Sequence, residues 1–212
     1  MAASLSDVLV DLKVSPVSVK VRERIEGFKL LNTLPEDEWF SELCFCLLTA
    51  NSSAEKGMEV QTKIGDGFLT LPEKELSRAL KKLGYRFFNK RAEYIVGARA
   101  HYKGLKKKIQ ELAKKDTRKA REWLVANIKG LGYKEASHFL RNVGYTDVAI
   151  LDRHILRIMH ENGLIPEFPK SLNRVKYLTY ENTLRLLAAR LKFSLGALDL
   201  YLWYTKTGRV LK

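Results

Sequence analysis

Apolar residues recur at helical spacing through almost the whole chain, and this periodicity constrains the fold more than any other feature. The clearest case is a set spaced i, i+3, i+4, i+7 and i+8, as in a helix that buries one face: Phe40, Leu43, Cys44, Leu47 and Leu48. No segment shows the convincing alternation of apolar and polar residues that a half-buried strand requires. The sequence therefore predicts an all-α protein.

Capping signals place several helix starts. Ser15 precedes Pro16, a residue favoured at the first position of a helix, and an amphipathic run continues to Leu31. Two capping boxes, each with a proline inside, mark further starts: Thr33 with Glu36 and Thr70 with Glu73. Other helical patterns cover residues 55–63, 73–82, 90–112, 117–127, 134–143, 153–161, 172–191 and 195–205.

The size of the chain allows one large domain or two small ones that share a cleft. It has 212 residues, of which 46% are hydrophobic, and it shows no internal repeat and no low-complexity linker. We expect residues 1–212 to form a single domain with two helical halves, connected by a helix over about residues 90–112. We expect a cleft between these halves.

Positive charge is concentrated in the middle of the sequence. The formal net charge is +14, yet residues 1–76 contain 8 Lys and Arg against 13 Asp and Glu, whereas residues 99–134 contain 12 against 3. The basic block ends in a glycine-rich turn, which is typical of a surface that faces the phosphates of a nucleic acid. Without that turn, the solvated face of long helices would be the favoured interpretation.

Cysteine content and hydropathy limit the class of protein further. Cys44 and Cys46 point in different directions on a helix, so neither a disulfide framework nor a metal knuckle is expected. No apolar stretch reaches transmembrane length, and the N-terminus lacks the pattern of a secretory signal. We therefore expect an intracellular protein with no membrane partner and no bound metal.

The sharpest local feature is the segment 127–134, Asn-Ile-Lys-Gly-Leu-Gly-Tyr-Lys, where one helical pattern stops and another starts at once. This is a helix-hairpin-helix signature. Gly130 and Gly132 allow a tight turn close to a phosphate, and the amides of the next helix N-terminus supply donors for the anion. We expect Leu131 to fill the space between the two helices and Lys129 to contact DNA.

Two residues near this turn suggest chemistry. Lys134 lies at the start of the second helix, and Asp152 follows eighteen positions later, where the apolar segment 148–151 runs into another helix start. Two consecutive helix N-termini can converge and bring an amine and a carboxylate together. From spacing alone, an equally good interpretation is that Lys134 only contacts phosphate and Asp152 only caps its helix.

With these residues the chain resembles the helix-hairpin-helix DNA glycosylase superfamily, and most closely the archaeal-type 8-oxoguanine DNA glycosylase/AP lyases. The resemblance covers nearly the whole chain. It implies that Lys134 is the nucleophile and that Asp152 completes the active site. The segment 200–212 also resembles the short C-terminal ending of that family, whose final lysine, here Lys212, helps to recognise the damaged base.

Two departures from the wider superfamily favour the archaeal type. The four-cysteine iron–sulfur loop of endonuclease-III-like members is absent, and the N-terminal β-domain of the larger eukaryotic-type enzymes has no counterpart. The resemblance therefore implies a small enzyme without a cofactor. We expect it to be a cytoplasmic, nucleoid-associated monomer that acts on double-stranded DNA containing oxidised guanine.

The implied reaction begins with a base turned out of the duplex, because stacking shields the sugar carbon that is attacked. The uncharged amine of Lys134 would displace the base at C1′ and form an imine with the opened sugar. Loss of the 3′ phosphate by β-elimination would then cut the strand. Asp152 would stabilise the positive charge that develops on the sugar and hold the nucleophile.

Several other residues are predicted to contact the DNA. Asn51 matches the superfamily position that meets the base opposite the lesion, although asparagine also often ends a helix. Phe87 and Phe88, in an aromatic and basic loop, suit a wedge between bases, although paired aromatics are more often core. Arg153 and His154 open the helix after the apolar segment, and both are expected near phosphate. For His154, support of the neighbouring carboxylate is the alternative role.

The segment 200–212 supplies two predicted contacts to the base. By resemblance, Trp203 stacks on the everted base, although a tryptophan among apolar neighbours is more often core. Lys212 belongs to the base pocket if the segment folds inward rather than fraying into solvent.

Two other functions fit the same motifs. One is a noncatalytic DNA-binding protein that uses the hairpin only for phosphate contacts and would tolerate the loss of Asp152. The other is a related glycosylase that acts on another lesion, such as an oxidised pyrimidine, or that does not cut the strand. Lys134 disfavours an enzyme without strand cleavage, because a purely hydrolytic glycosylase needs no amine there.

Overall fold

The computed structural model describes residues 4–212, and helices are the only regular secondary structure in this part of the chain. The all-α prediction is confirmed. Within the same range, no helix is both long and apolar enough to cross a bilayer. A 3₁₀ turn, Arg99–His101, lies between α7 and α8. The α-helices are α1 (Leu5–Val14), α2 (Val17–Thr33), α3 (Glu36–Thr49), α4 (Ala54–Ile64), α5 (Gly67–Thr70), α6 (Glu73–Lys82), α7 (Phe88–Ala98), α8 (Leu105–Lys115), α9 (Thr117–Asn127), α10 (Tyr133–Asn142), α11 (Arg153–Glu161), α12 (Arg174–Leu191) and α13 (Leu195–Thr207).

Most predicted helices start and end within two residues of the observed ones, but the prediction of one helix over residues 90–112 is wrong. α7 ends at Ala98, and α8 begins only at Leu105. Between them Gly104 has a φ of 88°, a left-handed conformation through which a right-handed helix cannot continue. α7 and α8 also pack into the same core, so they do not connect two halves of the molecule.

The two predicted capping boxes do not form, although α3 and α6 begin where they were expected. A proline occupies the cap position of each helix, and neither helix has a side-chain cap. The hydroxyls of Thr33 and Thr70 instead donate to carbonyl oxygens three and four residues back, at 2.8 and 3.1 Å. An additional helix, α1, precedes α2, and Ser4 caps it in a box with Asp7.

Two clusters of buried side chains form the interior. The first surrounds α3, which after its first turn is buried on every side rather than on one face: Phe45 and Cys46, outside the predicted stripe, are as inaccessible as Phe40. The second is built by α1, α2 and α11 to α13. Phe139 places α10 in the first cluster, while Tyr133 at the start of the same helix packs against the second. The N-terminus of α10 therefore lies at the boundary between the clusters.

A buried polar network fixes the segment that leads into α11. Arg121 of α9 and Glu181 of α12 form two hydrogen bonds of 2.5 and 2.8 Å, with side chains only 0% and 3% exposed. Glu181 also accepts the backbone N–H of Ala149 at 2.9 Å. The hydroxyl of Tyr177 donates to the carbonyl of Ala149 at 2.7 Å and accepts the N–H of Leu151 at 3.3 Å. These bonds tie residues 149–151 to α12 and so determine where α11 begins.

Candidate active site

A cleft of about 1050 Å³ lies where the N-termini of α10 and α11 meet α13. The loop after α3, the segment before α12 and residues 211–212 complete its wall. It brings together predicted site residues from four separated parts of the chain: Asn51, Gly132, Lys134, Asp152, Arg153, His154, Trp203 and Lys212. The other predicted residues lie outside its lining: Phe87, Phe88, Lys129, Gly130 and Leu131.

The hairpin between α9 and α10 leads into this cleft. Gly130 has a φ of 92°, and a side chain there would overlap the ring of Tyr94, so glycine is required. Leu131 is 5% exposed and packs in the first core, as predicted for a plug between the helices. Within the described part of the chain no side chain caps α10, so the amides of its first turn remain available to an anion.

Lys134 is the second residue of α10, and its side chain is 26% exposed. Its Nζ lies 3.6 Å from Oε1 of Glu135, a looser contact than a hydrogen bond. The amine is therefore held in the cleft without a close ion pair among residues 4–212. It remains accessible to a ligand that enters the cleft.

Asp152 follows the buried apolar segment 148–151 and caps α11. Its Oδ1 accepts hydrogen bonds from the backbone N–H groups of His154 and Ile155, both at 2.8 Å. Its Oδ2 accepts none from residues 4–212 and so remains available to a ligand. The structure thus shows the capping role and places the carboxylate in the same cleft as Lys134.

Asp199 is a further charged group in the cleft, and the sequence analysis did not identify it. Its side chain is only 10% exposed and pairs with Arg141. Burial raises the pKa of Asp199 to about 6 against the opposing charge of Arg141, and the negative charge of Asp152 adds to the increase. Lys134 lowers the same pKa, so the three cleft residues interact electrostatically. A single carboxylate within an apolar helical run was the available signal.

His138 was also missed. It lies one turn after Lys134 on α10, is 7% exposed and lines the cleft. Burial holds the pKa of His138 well below its ordinary value, and the charges of Arg141 and Lys134 act in the same direction. The imidazole is therefore neutral and adds no positive charge to the cleft.

The loop after α3, which forms part of the cleft wall, contacts the loop before α7. Asn51 and Phe87 both have left-handed backbones, with φ of 60° and 63°. Arg86 of the loop before α7 donates to the carbonyl of Asn51 at 3.5 Å, and Arg91 of α7 donates to the carbonyl of Ala50 at 2.7 Å. Phe87 is 49% exposed, whereas Phe88 is half-buried against the first core. Of the two predicted wedge residues, only Phe87 is free to enter a duplex.

The remaining predicted residues differ in their surroundings. The ring of Trp203 is half-buried and meets the exposed ring of His154 edge to face, with centroids 4.9 Å apart. Arg153 is exposed beside them. Lys129, by contrast, is outside the cleft lining, and its exposed Nζ pairs with Glu93 at 2.8 Å.

The chain is similar to known proteins along most of its length. A family model described as 8-oxoguanine DNA glycosylase matches residues 21–193. An 8-oxoguanine DNA glycosylase/AP lyase of Methanocaldococcus jannaschii is 55% identical over 202 residues, which cover 95% of this chain and 96% of that protein.

Two solved structures share the fold. The Methanocaldococcus jannaschii 8-oxoguanine glycosylase/lyase, in complex with a 15mer DNA containing 8-oxoguanine, superposes with a TM-score of 0.93 at 53% identity, covering 98% of this chain and 99% of that one. The 8-oxoguanine DNA glycosylase of Thermotoga maritima gives a TM-score of 0.92 at 46% identity, covering 98% of each chain.

Proposed function

The chain belongs to the 8-oxoguanine DNA glycosylase family, and from that premise we propose that it excises 8-oxoguanine from duplex DNA and then cleaves the strand as an AP lyase. Lys134 is the nucleophile and Asp152 the essential carboxylate. The observation that supports this assignment is that two successive helix starts deliver an accessible amine and a carboxylate with one uncommitted oxygen to the same cleft. Since its substrate is the genome, we propose a nucleoid-associated location.

Base release is the first chemical step. After the damaged nucleotide turns out into the cleft, the uncharged amine of Lys134 attacks C1′. The bond from C1′ to N9 breaks, and the purine leaves with the bonding electrons and takes up a proton. Opening of the sugar ring then gives an imine between Lys134 and C1′.

Strand cleavage follows from the imine. The imine makes the proton on C2′ acidic, and removal of that proton expels the 3′ phosphate by β-elimination. Hydrolysis of the imine then returns the free amine of Lys134. A noncatalytic phosphate-binding protein would use the amine of Lys134 for a phosphate contact, but it would have no use for a carboxylate in the same cleft.

Charge in the cleft favours the first step. The bond to the base weakens before the new bond forms, so positive charge develops on the sugar, and Asp152 stabilises it through its uncommitted oxygen. The uncapped amides of α10 and the hairpin turn bind a phosphate of the same strand. Trp203 lines the cavity in which the everted base is stacked.

Borohydride trapping tests the proposed function. Duplexes with a single 8-oxoguanine, a single oxidised pyrimidine or no lesion are incubated with the protein, and borohydride is added to reduce any imine. We expect a covalent complex with the 8-oxoguanine duplex only, absent in Lys134→Gln. Tight binding without trapping or base release on any duplex would show a noncatalytic DNA-binding protein, and trapping only with the pyrimidine lesion would show a different substrate.

A further inference from the structure

Lys212 does not point its ammonium group into the cleft. Its Nζ lies 2.8 Å from Oε2 of Glu42 and 2.6 Å from Oε1 of Gln61, and 4.3 Å from the ring centroid of Phe45. The Lys212 side chain is only 18% exposed, and that of Glu42 2%. The lysine therefore occupies a built site on α3 and α4, which we call the lysine seat: Glu42, Gln61 and Phe45.

The seat holds Lys212 two residues beyond Val210, which packs against the second core. Residues 209–212 follow α13 without regular secondary structure. A second ion pair of this segment, from Arg209 to Glu55, is 3.4 Å long and exposed. Leu211 and Lys212 nevertheless form part of the cleft wall. The position of this wall thus depends on the lysine seat.

A chain of hydrogen bonds connects Glu42 to other buried side chains. Its Oε1 accepts from the side-chain amide of Asn142 at 2.6 Å. The oxygen of Asn142 accepts two bonds from Arg141, at 2.9 and 3.1 Å, and Arg141 pairs with Asp199. All four of these side chains are buried. A buried carboxylate in such a network is held rigidly, because each neighbour restricts the next.

We propose that Glu42 is a positioning residue for base recognition, which acts by seating Lys212 so that residues 211–212 form the base-facing wall of the cleft. This inference rests on the proposed function. It concerns release of the damaged base and not strand cleavage, because an abasic sugar has no base to fill that part of the cleft. Glu42 touches neither the nucleophile nor the sugar in this assignment.

The test compares two activities of the same variants. Single-turnover release of 8-oxoguanine is measured beside strand cleavage at a preformed abasic site. Glu42→Gln keeps the shape of the side chain and removes its charge, while Lys212→Met removes the ammonium group from the other side of the same contact. Glu59→Gln is the matched control, because Glu59 also pairs with lysines but lies on the exposed face of α4.

We expect both seat variants to release 8-oxoguanine roughly 10-fold to 100-fold more slowly, the effect of losing a hydrogen bond to a charged group. Cleavage at the abasic site should change little, and the control variant should match the parent in both assays. The double variant Glu42→Gln/Lys212→Met should be no slower than the slower single variant, since both changes break one contact.

Parallel loss of both activities in Lys212→Met, an unchanged rate of base release in that variant, or additive effects in the double variant would each overturn the proposal. If Glu42→Gln does not fold, Lys212→Met still decides the outcome, because residue 212 belongs to the segment after α13 and to no helix. Failure of the parent protein to release 8-oxoguanine would instead contradict the proposed function itself.

Discussion

At the scale of single residues, Asp152 combines a structural and a chemical role that substitution can separate. Asp152→Asn keeps an oxygen that accepts the two N–H bonds of the cap, so the free energy of unfolding should change by less than about 0.5 kcal/mol. Asp152→Ala loses the cap and should cost about 1 kcal/mol. Denaturant unfolding measures both differences.

The same two variants should lose activity to a similar extent. Without the charge, single-turnover base release should slow roughly 100-fold to 1000-fold, the usual effect of removing one electrostatic contact to a transition state. If Asp152 were only a helix cap, Asp152→Asn would retain the parent rate, and the catalytic assignment would be wrong.

Local pattern places Lys134 and Asp152 at helix starts, and the family resemblance, rather than the pattern, implies their roles. Sequence reasoning missed Glu42 and Asp199 because their roles depend on distant partners. Glu42 bonds Asn142, 100 positions away, and Asp199 pairs with Arg141, 58 positions away. Nothing in a local pattern indicates which buried carboxylate will find which partner.

At the scale of elements, the hairpin depends on one glycine. A side chain at position 130 meets both a φ of 92° and the ring of Tyr94, so Gly130→Ala should lower the free energy of unfolding by about 1–3 kcal/mol. Gly97 on α7 is the control, because a Cβ there meets no atom within 4 Å. Gly97→Ala should instead add about 0.5–1 kcal/mol, since alanine favours a helix.

Denaturant unfolding of the two glycine variants, with trapping assays in parallel, checks this prediction. The hairpin should also lose DNA affinity in Gly130→Ala, because its amides no longer approach the phosphate at the same angle. Equal stability of the two variants would mean that the turn accommodates a side chain and that its geometry does not require glycine at position 130.

Helix positions were predictable from periodicity wherever one helix ran between clear breaks, as in α9 and α11. The segment from α7 to α8 was not, because the pattern of apolar residues continues across Gly104 while the backbone does not. The caps of α3 and α6 were misjudged for a related reason. A proline occupies the cap position of each helix. The threonine hydroxyls donate to carbonyl oxygens of the preceding turn instead of capping the helix that follows.

At the scale of the whole molecule, two buried clusters meet at the cleft, and buried polar groups join them. Burial at this junction should make the free energy of unfolding depend on pH through Asp199. Its pKa of about 6 lies above the ordinary 3.8 because the carboxyl group is buried. A raised carboxyl pKa means that the folded state holds the proton more tightly than the unfolded state. The contribution of Asp199 to the free energy of unfolding therefore falls as pH rises from about 4 to about 6, and then levels off.

Asp199→Asn should remove this slope. The variant also leaves Arg141 without its partner, which changes the free energy of unfolding by an amount that does not depend on pH. As pH rises from about 4 to about 6, the parent should lose stability relative to the variant. Denaturant unfolding of both proteins at a series of pH values between about 4 and about 7 measures the difference. A difference that stays constant with pH would contradict the assignment of a raised pKa to this group.

The central claim is that the amine of Lys134 forms the covalent link to the sugar of an everted nucleotide. Peptide mapping of the borohydride-reduced complex by mass spectrometry tests it most directly, because the modified peptide identifies the reacting lysine. We predict that the sugar remnant of the 8-oxoguanine duplex is attached to Lys134 and to no other lysine. Attachment to a different residue would contradict the account, as would base release and strand cleavage without any adduct.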